Sequence, residues 1–304
     1  MRKQIVVTGF FLLSLMLPLK ASAQDYHEIY VFGDSLSDDG NFLKTTGVQG
    51  YGPTSLYYQG RFSNGPVWVE YLASQLGATS TNYAFGGATT GYNNVASPDL
   101  PGLQQQINSF TAAHPAASPN ALYIVWAGAN DYLLGGASNP TAPVTDLSTA
   151  VTSLAAVGAK NIMVLNLPDL GMVPLMLTSP ASSVLNDSTK AHNSRLSATL
   201  EDLSQNSHIN TISVDMDSLF EQMLAKPQRF GFTNVTNSCL ANFVPCTNPN
   251  DYLFWDNIHP TTAAHKVFGE FAFSALQPTP APEPSAVLGV LAFGAFGASL
   301  LTRK

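Results

Sequence analysis

Short apolar runs alternate with longer amphipathic segments through the middle of the chain. The runs have the length and composition of strands and cover residues 29–32, 82–85, 121–126, 161–165 and 209–214. Helix-like segments lie between and after them, at residues 66–76, 103–114, 144–157, 181–205 and 260–276. This alternation predicts an α/β fold with a parallel sheet of about five strands and helices on both of its faces.

Polar motifs follow several predicted strands at their carboxyl ends, where open parallel sheets bind their ligands. The first strand leads into Gly33-Asp34-Ser35, and its glycine permits a sharp turn. Ser35 is a candidate nucleophile, provided that a neighbouring base takes its proton. Asp256 and His259 are close enough in sequence for one turn to bring the carboxylate to the imidazole. The chain therefore contains all three side chains of a serine hydrolase triad.

Two further motifs contain groups that could bind a developing oxyanion. Gly87 follows the second predicted strand and Asn130 follows the third. Together with the N–H of Ser35, they would provide three hydrogen-bond donors. Taken singly, each motif also fits an ordinary turn, and an Asp close to a His also fits a surface pair. Their joint occurrence at the ends of successive strands favours a catalytic site.

Four sequence blocks, in this order, resemble the GDSL, or SGNH, hydrolase family. They are VFGDSLSDDGN at 31–41, NYAFGGA at 82–88, GAND at 128–131 and DNIHP at 256–260. The resemblance implies a three-layer α/β/α flavodoxin-like fold that uses no metal and no cofactor. Residues 60–66 and 166–171 also look typical of the branch that contains bacterial lipases and phospholipases and plant-type lipases.

The same resemblance implies a role for each site residue. Ser35 matches the nucleophile, and Asp256 and His259 match the rest of the triad. Gly87 and Asn130 match the oxyanion-hole donors that act with the Ser35 N–H, although the preceding glycine remains an alternative to Gly87. We therefore expect hydrolysis of carboxylic esters, small or lipid, through an acyl-enzyme on Ser35.

The sequence leaves open which ester is the substrate and whether water or an alcohol accepts the acyl group. The family includes esterases, lipases, phospholipases, thioesterases, carbohydrate acetylesterases and acyltransferases. The same triad would serve a polysaccharide O-deacetylase or an acyltransferase. A non-catalytic protein of the cell surface or matrix on this fold is a further alternative, because a fold does not guarantee an activity.

Composition and charge exclude some other classes of protein. Hydrophobic residues make up 45% of the 304 residues and charged residues 11%, which is typical of a globular chain. The formal net charge is −7, and several of the few basic residues lie at the two ends. An acidic middle region repels phosphate backbones, so nucleic-acid binding is not expected.

The two ends of the chain have the patterns of sorting signals, which leaves 24–277 as the hydrolase domain. Residues 1–23 combine a basic start, an apolar run and a small-residue cleavage site for signal peptidase, so the mature chain would begin near Gln24. Residues 278–304 contain Pro-Glu-Pro, an apolar run and a basic end. This order resembles the PEP-CTERM signal of Gram-negative bacteria, which an exosortase removes; a plain membrane anchor is the alternative. Both signals predict export to the cell envelope or extracellular matrix.

We interpret the two cysteines and the histidines outside the motifs as structural rather than catalytic residues. In an exported protein Cys239 and Cys246 would form a local disulfide, with two free thiols as the alternative. His192 lies in a polar helix and is predicted at the surface, and His265 is predicted to face away from the site. Two loop-like segments, 91–100 and 230–251, are candidate walls of the site.

Overall fold

The computed structural model describes residues 26–49, 52–207 and 210–277. The predicted export signal at 1–23 and the predicted sorting tail at 278–304 lie outside the described residues. No helix within the described ranges has both the length and the apolar character that crossing a bilayer requires.

The centre of the molecule is a five-stranded parallel sheet, as the sequence pattern predicts. Its strands are β1 (Glu28–Gly33), β2 (Thr79–Asn82), β3 (Leu122–Trp126), β4 (Asn161–Leu165) and β5 (Asn210–Val214). Their spatial order is β2-β1-β3-β4-β5. This is the flavodoxin-like order, in which the chain reverses direction across the sheet beside β1 and leaves a crevice at the carboxyl ends of the strands.

Helices cover both faces of the sheet and divide the interior into two apolar cores. One face packs against α2 (Trp68–Leu76), α7 (Met216–Ala225) and α8 (Thr262–Ala275). The other face packs against α3 (Leu103–Ala113), α5 (Thr141–Ala156) and α6 (Ser182–Ser207). This is the three-layer α/β/α arrangement, so the predicted fold class is confirmed.

The middle strand β3 shows why the pattern predicted this fold correctly. Leu122, Ile124 and Trp126 point into the first core, whereas Tyr123 and Val125 point into the second. Because both faces are covered, every residue of β3 is buried and the strand reads as a continuous apolar run.

The second strand was predicted in the wrong place. The apolar letters of 82–85 indicated a strand there, but β2 covers Thr79–Asn82 and its residues are exposed or half-buried. Because β2 is an edge strand, its side chains meet solvent and can be polar. Residues 83–85 follow it, and the N–H groups of Tyr83 and Phe85 still donate to carbonyls of β1.

Several short elements were not predicted. They include α1 (Asn41–Thr46) and α4 (Ala129–Leu133), each of which follows a strand by a few residues. The predicted loop 230–251 contains β6 (Asn234–Ser238), β7 (Leu240–Ala241) and β8 (Val244–Pro245), and β6 pairs with β9 (Tyr252–Phe254). The β7–β8 hairpin is closed by a disulfide between Cys239 and Cys246.

Candidate active site

Ser35 lies in a tight turn at the carboxyl end of β1. The Asp34 carbonyl accepts hydrogen bonds from the N–H groups of Ser37 and Asp38, both at 3.0 Å, and the Asp34 carboxylate accepts from Leu36 N–H at 3.0 Å. These bonds close the turn on both sides of Ser35. The turn therefore presents the Ser35 hydroxyl at the edge of the sheet where ligands bind.

The His259 imidazole reaches Ser35 from the loop before α8. Its Nε2 lies 2.9 Å from Ser35 Oγ. The loop is held by a hydrogen bond from Trp255 N–H to the His259 carbonyl at 2.7 Å. Thr261 then caps α8, its hydroxyl accepting from Ala264 N–H at 3.3 Å. The imidazole is thus fixed at the start of a helix and faces the serine.

Asp256 holds the other nitrogen of the imidazole. Its Oδ2 lies 2.8 Å from His259 Nδ1, and its Oδ1 accepts from the N–H groups of Ile258 and His259 at 2.9 and 2.7 Å. Burial acts to raise the pKa of Asp256, but the facing His259 and these hydrogen bonds prevail and lower it below the ordinary value. Asp256 is therefore ionised and can stabilise a charged imidazole.

Tyr57 is a fourth member of this cluster that sequence reasoning missed. Its buried hydroxyl donates to Asp256 Oδ2 at 2.9 Å. The two residues are 199 positions apart, and no motif around Tyr57 marks it. Its ring packs with Trp255 and Cys239 in a small cluster beneath the disulfide hairpin. The segment 230–251 thus supports the site from behind.

Three hydrogen-bond donors lie around the Ser35 hydroxyl. Gly86 N–H donates to Asp38 Oδ2 at 2.8 Å, whereas no hydrogen bond among the described residues uses the N–H of Gly87 or Ser35. Asn130 Nδ2 donates one hydrogen to the Ala88 carbonyl at 3.0 Å and retains a second. Gly87, Asn130 and Ser35 line one cavity together with His259.

Buried carboxyl groups hold the loops that carry these donors. Asp38 Oδ1 accepts from Gly40 and Asn41 N–H, and its Oδ2 fixes Gly86. Asp131 accepts from the hydroxyl and the N–H of Thr90 at 2.7 and 3.0 Å. Burial raises the pKa of both carboxyls to about 6. These contacts tie the glycine loop to the turns after β1 and β3.

His192 was predicted at the surface, and this prediction is wrong. The side chain is fully buried, and its Nδ1 lies 3.0 Å from the Tyr132 hydroxyl. Burial lowers the pKa of His192 to about 4, so the ring is neutral. A polar helix can carry one inward-facing histidine when a hydroxyl bonds to one of its ring nitrogens, and hydropathy does not reveal that partner. The pair lies beneath the turn that carries Asn130.

Two cavities meet at Ser35. The larger has a volume of about 170 Å³ and is lined by the donors, His259, and apolar side chains including Phe62, Val95 and Leu134. The segment 91–100 therefore forms part of its wall, as predicted. The smaller has a volume of about 40 Å³ and an almost wholly apolar lining that includes Trp126 and Phe220.

Within the described part of the chain, no group of histidine, cysteine and acidic side chains could hold a metal ion.

Comparison with known proteins places this geometry in context. The sequence profile of a family described as GDSL-like Lipase/Acylhydrolase matches residues 29–272. A phosphatidylcholine-sterol acyltransferase from Aeromonas hydrophila is 30% identical, over 88% of this chain and 95% of that protein. A thermolabile hemolysin from Vibrio parahaemolyticus is 28% identical, over 80% of this chain and 62% of the hemolysin, so the chain spans less than two thirds of that relative.

A solved structure supports the fold independently of these sequences. The structure of a GDSL-like lipase from Parabacteroides merdae ATCC 43184 superposes with a TM-score of 0.52. The match covers 84% of this chain and 98% of the other at 14% identity. At that identity the likeness shows the shared α/β/α fold alone.

Proposed function

This chain belongs to the GDSL-like lipase/acylhydrolase family and is a carboxylic ester hydrolase, and on that premise we propose that Ser35 is its nucleophile. His259 acts as general base and then general acid. Asp256 holds the imidazole in the required tautomer and stabilises its charged form. Ser35 N–H, Gly87 N–H and the Asn130 amide bind the oxyanion.

The first half of the reaction forms an acyl-enzyme. His259 Nε2 removes the proton from Ser35 Oγ as the oxygen attacks the ester carbonyl carbon. The carbonyl π electrons move to its oxygen, which the three donors then stabilise. The tetrahedral intermediate collapses, the carbon–oxygen bond to the alcohol breaks, and His259 returns its proton to the leaving alcohol.

The second half releases the acid by the same steps in the reverse sense. His259 removes a proton from water, and the oxygen of that water attacks the acyl carbon. The oxyanion again occupies the donor site until the bond to Ser35 Oγ breaks. His259 then returns the proton to the serine, which restores the enzyme.

One observation carries the assignment of these roles. The 2.9 Å separation between Ser35 Oγ and His259 Nε2 occurs together with the 2.8 Å contact between His259 Nδ1 and Asp256. The test is hydrolysis of p-nitrophenyl acetate and butyrate by the wild type, Ser35→Ala, and Ser109→Ala as an exposed control. We expect loss of at least about 10³-fold for Ser35→Ala alone. Equal rates for the three proteins would overturn the assignment.

Acyl transfer to an alcohol is a second candidate activity. It is favoured by the 30% identity to a protein named as an acyltransferase. An alcohol would take the place of water in the second half of the reaction. Adding an acceptor alcohol and measuring the ratio of new ester to free acid distinguishes the two activities. A ratio that follows the acceptor concentration supports transfer, and free acid alone supports hydrolysis.

We also propose that the protein is exported, with residues 1–23 removed and residues 278–304 acting as a PEP-CTERM tail. The disulfide between Cys239 and Cys246 supports this, because such bonds persist in oxidising compartments. The test is the mass and N-terminal residue of the protein from envelope and extracellular fractions. We expect Gln24 at the start and no apolar tail. A full-length chain retained in the cytosol would contradict the proposal.

A further inference from the structure

The two cavities at Ser35 differ in which catalytic groups they contact. Both are lined by Ser35 and Asn130. Only the larger is also lined by Gly87 and His259. The smaller is lined by α4, which carries Asn130, and reaches Trp126 at the end of β3. A substrate bound at Ser35 therefore has two distinct places for its two ends.

The stereochemistry of the reaction assigns one end to each cavity. In the tetrahedral intermediate, the central carbon carries Ser35 Oγ, the oxyanion, the leaving alcohol oxygen and the acyl chain. The oxyanion must face Gly87 and Asn130, and the leaving oxygen must lie within reach of His259 Nε2. Both of these positions belong to the larger cavity. The acyl chain is the substituent left for the smaller one.

We infer that the small apolar cavity is the acyl-binding site and that it selects short, uncharged acyl groups of two to about four carbons. This inference rests on the proposed function of Ser35 and names the substrate class for that site. The larger cavity and its exposed rim then receive the alcohol, whose size is much less restricted.

The size of the cavity sets the limit on chain length. Its volume is about 40 Å³, against about 170 Å³ for the larger cavity. So small a space admits only a few carbons beyond the carbonyl carbon. Trp126, Phe254 and Phe268 form its floor and are buried in the first core. These rings cannot move aside without disturbing the packing of the sheet against α8.

Charge sets a second limit. Asp34 is the one ionisable side chain among the described residues that line the small cavity. An acyl chain that ends in a carboxylate would bring a negative charge into an apolar place with little water, beside this second carboxyl group and with no cation among the described lining residues. Burying a carboxylate without a partner is costly. The lining therefore disfavours dicarboxylic half-esters relative to simple fatty acyl esters.

Two neighbouring leucines provide a matched test. Leu133 is half-buried and lines the small cavity, whereas Leu134 is 52% exposed and lines the large one. The measurement is kcat/KM for p-nitrophenyl acetate, butyrate, hexanoate, octanoate and hemisuccinate. These esters share one alcohol, so differences among them report the acyl site. The variants are Leu133→Ala, Leu133→Phe and Leu134→Ala.

The inference predicts a break in the wild-type profile between butyrate and hexanoate of at least about tenfold, which is the scale of one misplaced methylene. Leu133→Ala should raise the hexanoate-to-acetate ratio by about tenfold, and Leu133→Phe should lower the butyrate-to-acetate ratio by about as much. Leu134→Ala should leave both ratios within about twofold of wild type. The hemisuccinate should react at least about tenfold more slowly than the butyrate.

The outcomes separate this inference from the function on which it rests. A wild type that prefers octanoate, folded Leu133 variants with unchanged ratios, or a shift caused by Leu134→Ala would each overturn the acyl-site assignment. Equal rates for hemisuccinate and butyrate would overturn the selection against charge. Full activity in Ser35→Ala would instead overturn the proposed function. If Leu133→Ala does not fold, Val173→Ala opens the same cavity from another wall.

Discussion

In the proposed mechanism, residues around the triad have two kinds of role: some position the catalytic acid and others bind the oxyanion. Tyr57 has the first role. It donates a hydrogen bond to Asp256 Oδ2 at 2.9 Å. A hydrogen bond to a charged group contributes about 1.5–3 kcal/mol. In the proposed mechanism Tyr57 is therefore a positioning residue that helps to hold Asp256 oriented toward the imidazole.

Tyr57→Phe should lower kcat by about tenfold and leave KM nearly unchanged, because one hydrogen bond to the carboxylate is lost. Loss of that donor also raises the pKa of Asp256 toward its ordinary value. The acid-side decline of activity should therefore begin at a higher pH than in the wild type. Tyr58→Phe is the matched control, since Tyr58 is part-exposed beneath Arg61. If kcat falls but the pH profile does not shift, Tyr57 contributes only packing and is not a positioning residue.

The second role, proposed for Gly87, is to present a backbone N–H to the oxyanion where no side chain fits. Its φ is +80°, and a Cβ there would lie 2.5 Å from Asn94 Oδ1 and 3.0 Å from Ala96 Cβ. Gly87→Ala should reduce kcat by about 10²–10³-fold, the usual effect of losing one oxyanion donor. Gly77→Ala tests backbone strain alone, because φ is +64° and the space is open. Equal, small losses in both variants would argue against the donor role.

At the scale of elements, the disulfide hairpin of β7 and β8 supports the loop that carries Asp256 and His259. Leu240 N–H donates to the Trp255 carbonyl at 2.7 Å, directly before Asp256. Cys239 is buried against Tyr57 and Trp255 in the same small cluster. The hairpin therefore links the covalent bond to the position of the triad acid.

Replacing both cysteines by serine should lower the free energy of unfolding by about 2.5 kcal/mol, the chain-entropy value for so short a loop. Urea unfolding of the double variant against the wild type measures this difference. We also expect a reduced kcat, because Tyr57 and Trp255 lose a packed neighbour. Reduction of the wild type by a thiol should reproduce both effects and leave the double variant unchanged. A double variant with wild-type stability and kcat would show that the disulfide does not support the site.

Elements also show which parts of the fold could be predicted. Buried strands such as β3 (Leu122–Trp126) are apolar on both faces, and their position follows from the sequence within one residue. The edge strand Thr79–Asn82 could not be located, because exposure removes the apolar signal. Tyr57 and His192 were missed for a related reason. Each is a polar residue whose buried partner is distant in sequence, and the partner is visible only after folding.

At the scale of the whole molecule, buried carboxyl groups oppose folding at neutral pH. Burial raises the pKa of Asp34 to about 7 and the pKa of Asp38 and Asp131 to about 6. A carboxyl whose pKa is higher in the folded state binds more protons there than in the unfolded state. Its contribution to stability is complete below the unfolded pKa and is lost as the pH rises through the folded pKa.

The buried neutral His192 and His265, whose pKa values burial lowers to about 4 and about 3, contribute the opposite slope over the same pH range. The prediction is therefore a difference: the Asp34 contribution to the free energy of unfolding should decrease by about 2 kcal/mol between pH 5 and pH 7, and Asp34→Asn should lack this decrease because an amide does not titrate. Asp187→Asn, an exposed position on α6, should keep the wild-type slope. Urea unfolding at several pH values measures it. Equal slopes for the wild type and Asp34→Asn would contradict the raised pKa of Asp34.

The central claim is that one hydroxyl, that of Ser35, forms the acyl-enzyme. The most direct measurement is peptide mapping by mass spectrometry after the folded protein reacts with a fluorophosphonate. We expect one adduct, on Ser35, which forms much more slowly in Asp256→Asn and His259→Gln and is absent from the urea-unfolded chain. An adduct on another residue, or equal labelling of the folded and unfolded chains, would contradict the account.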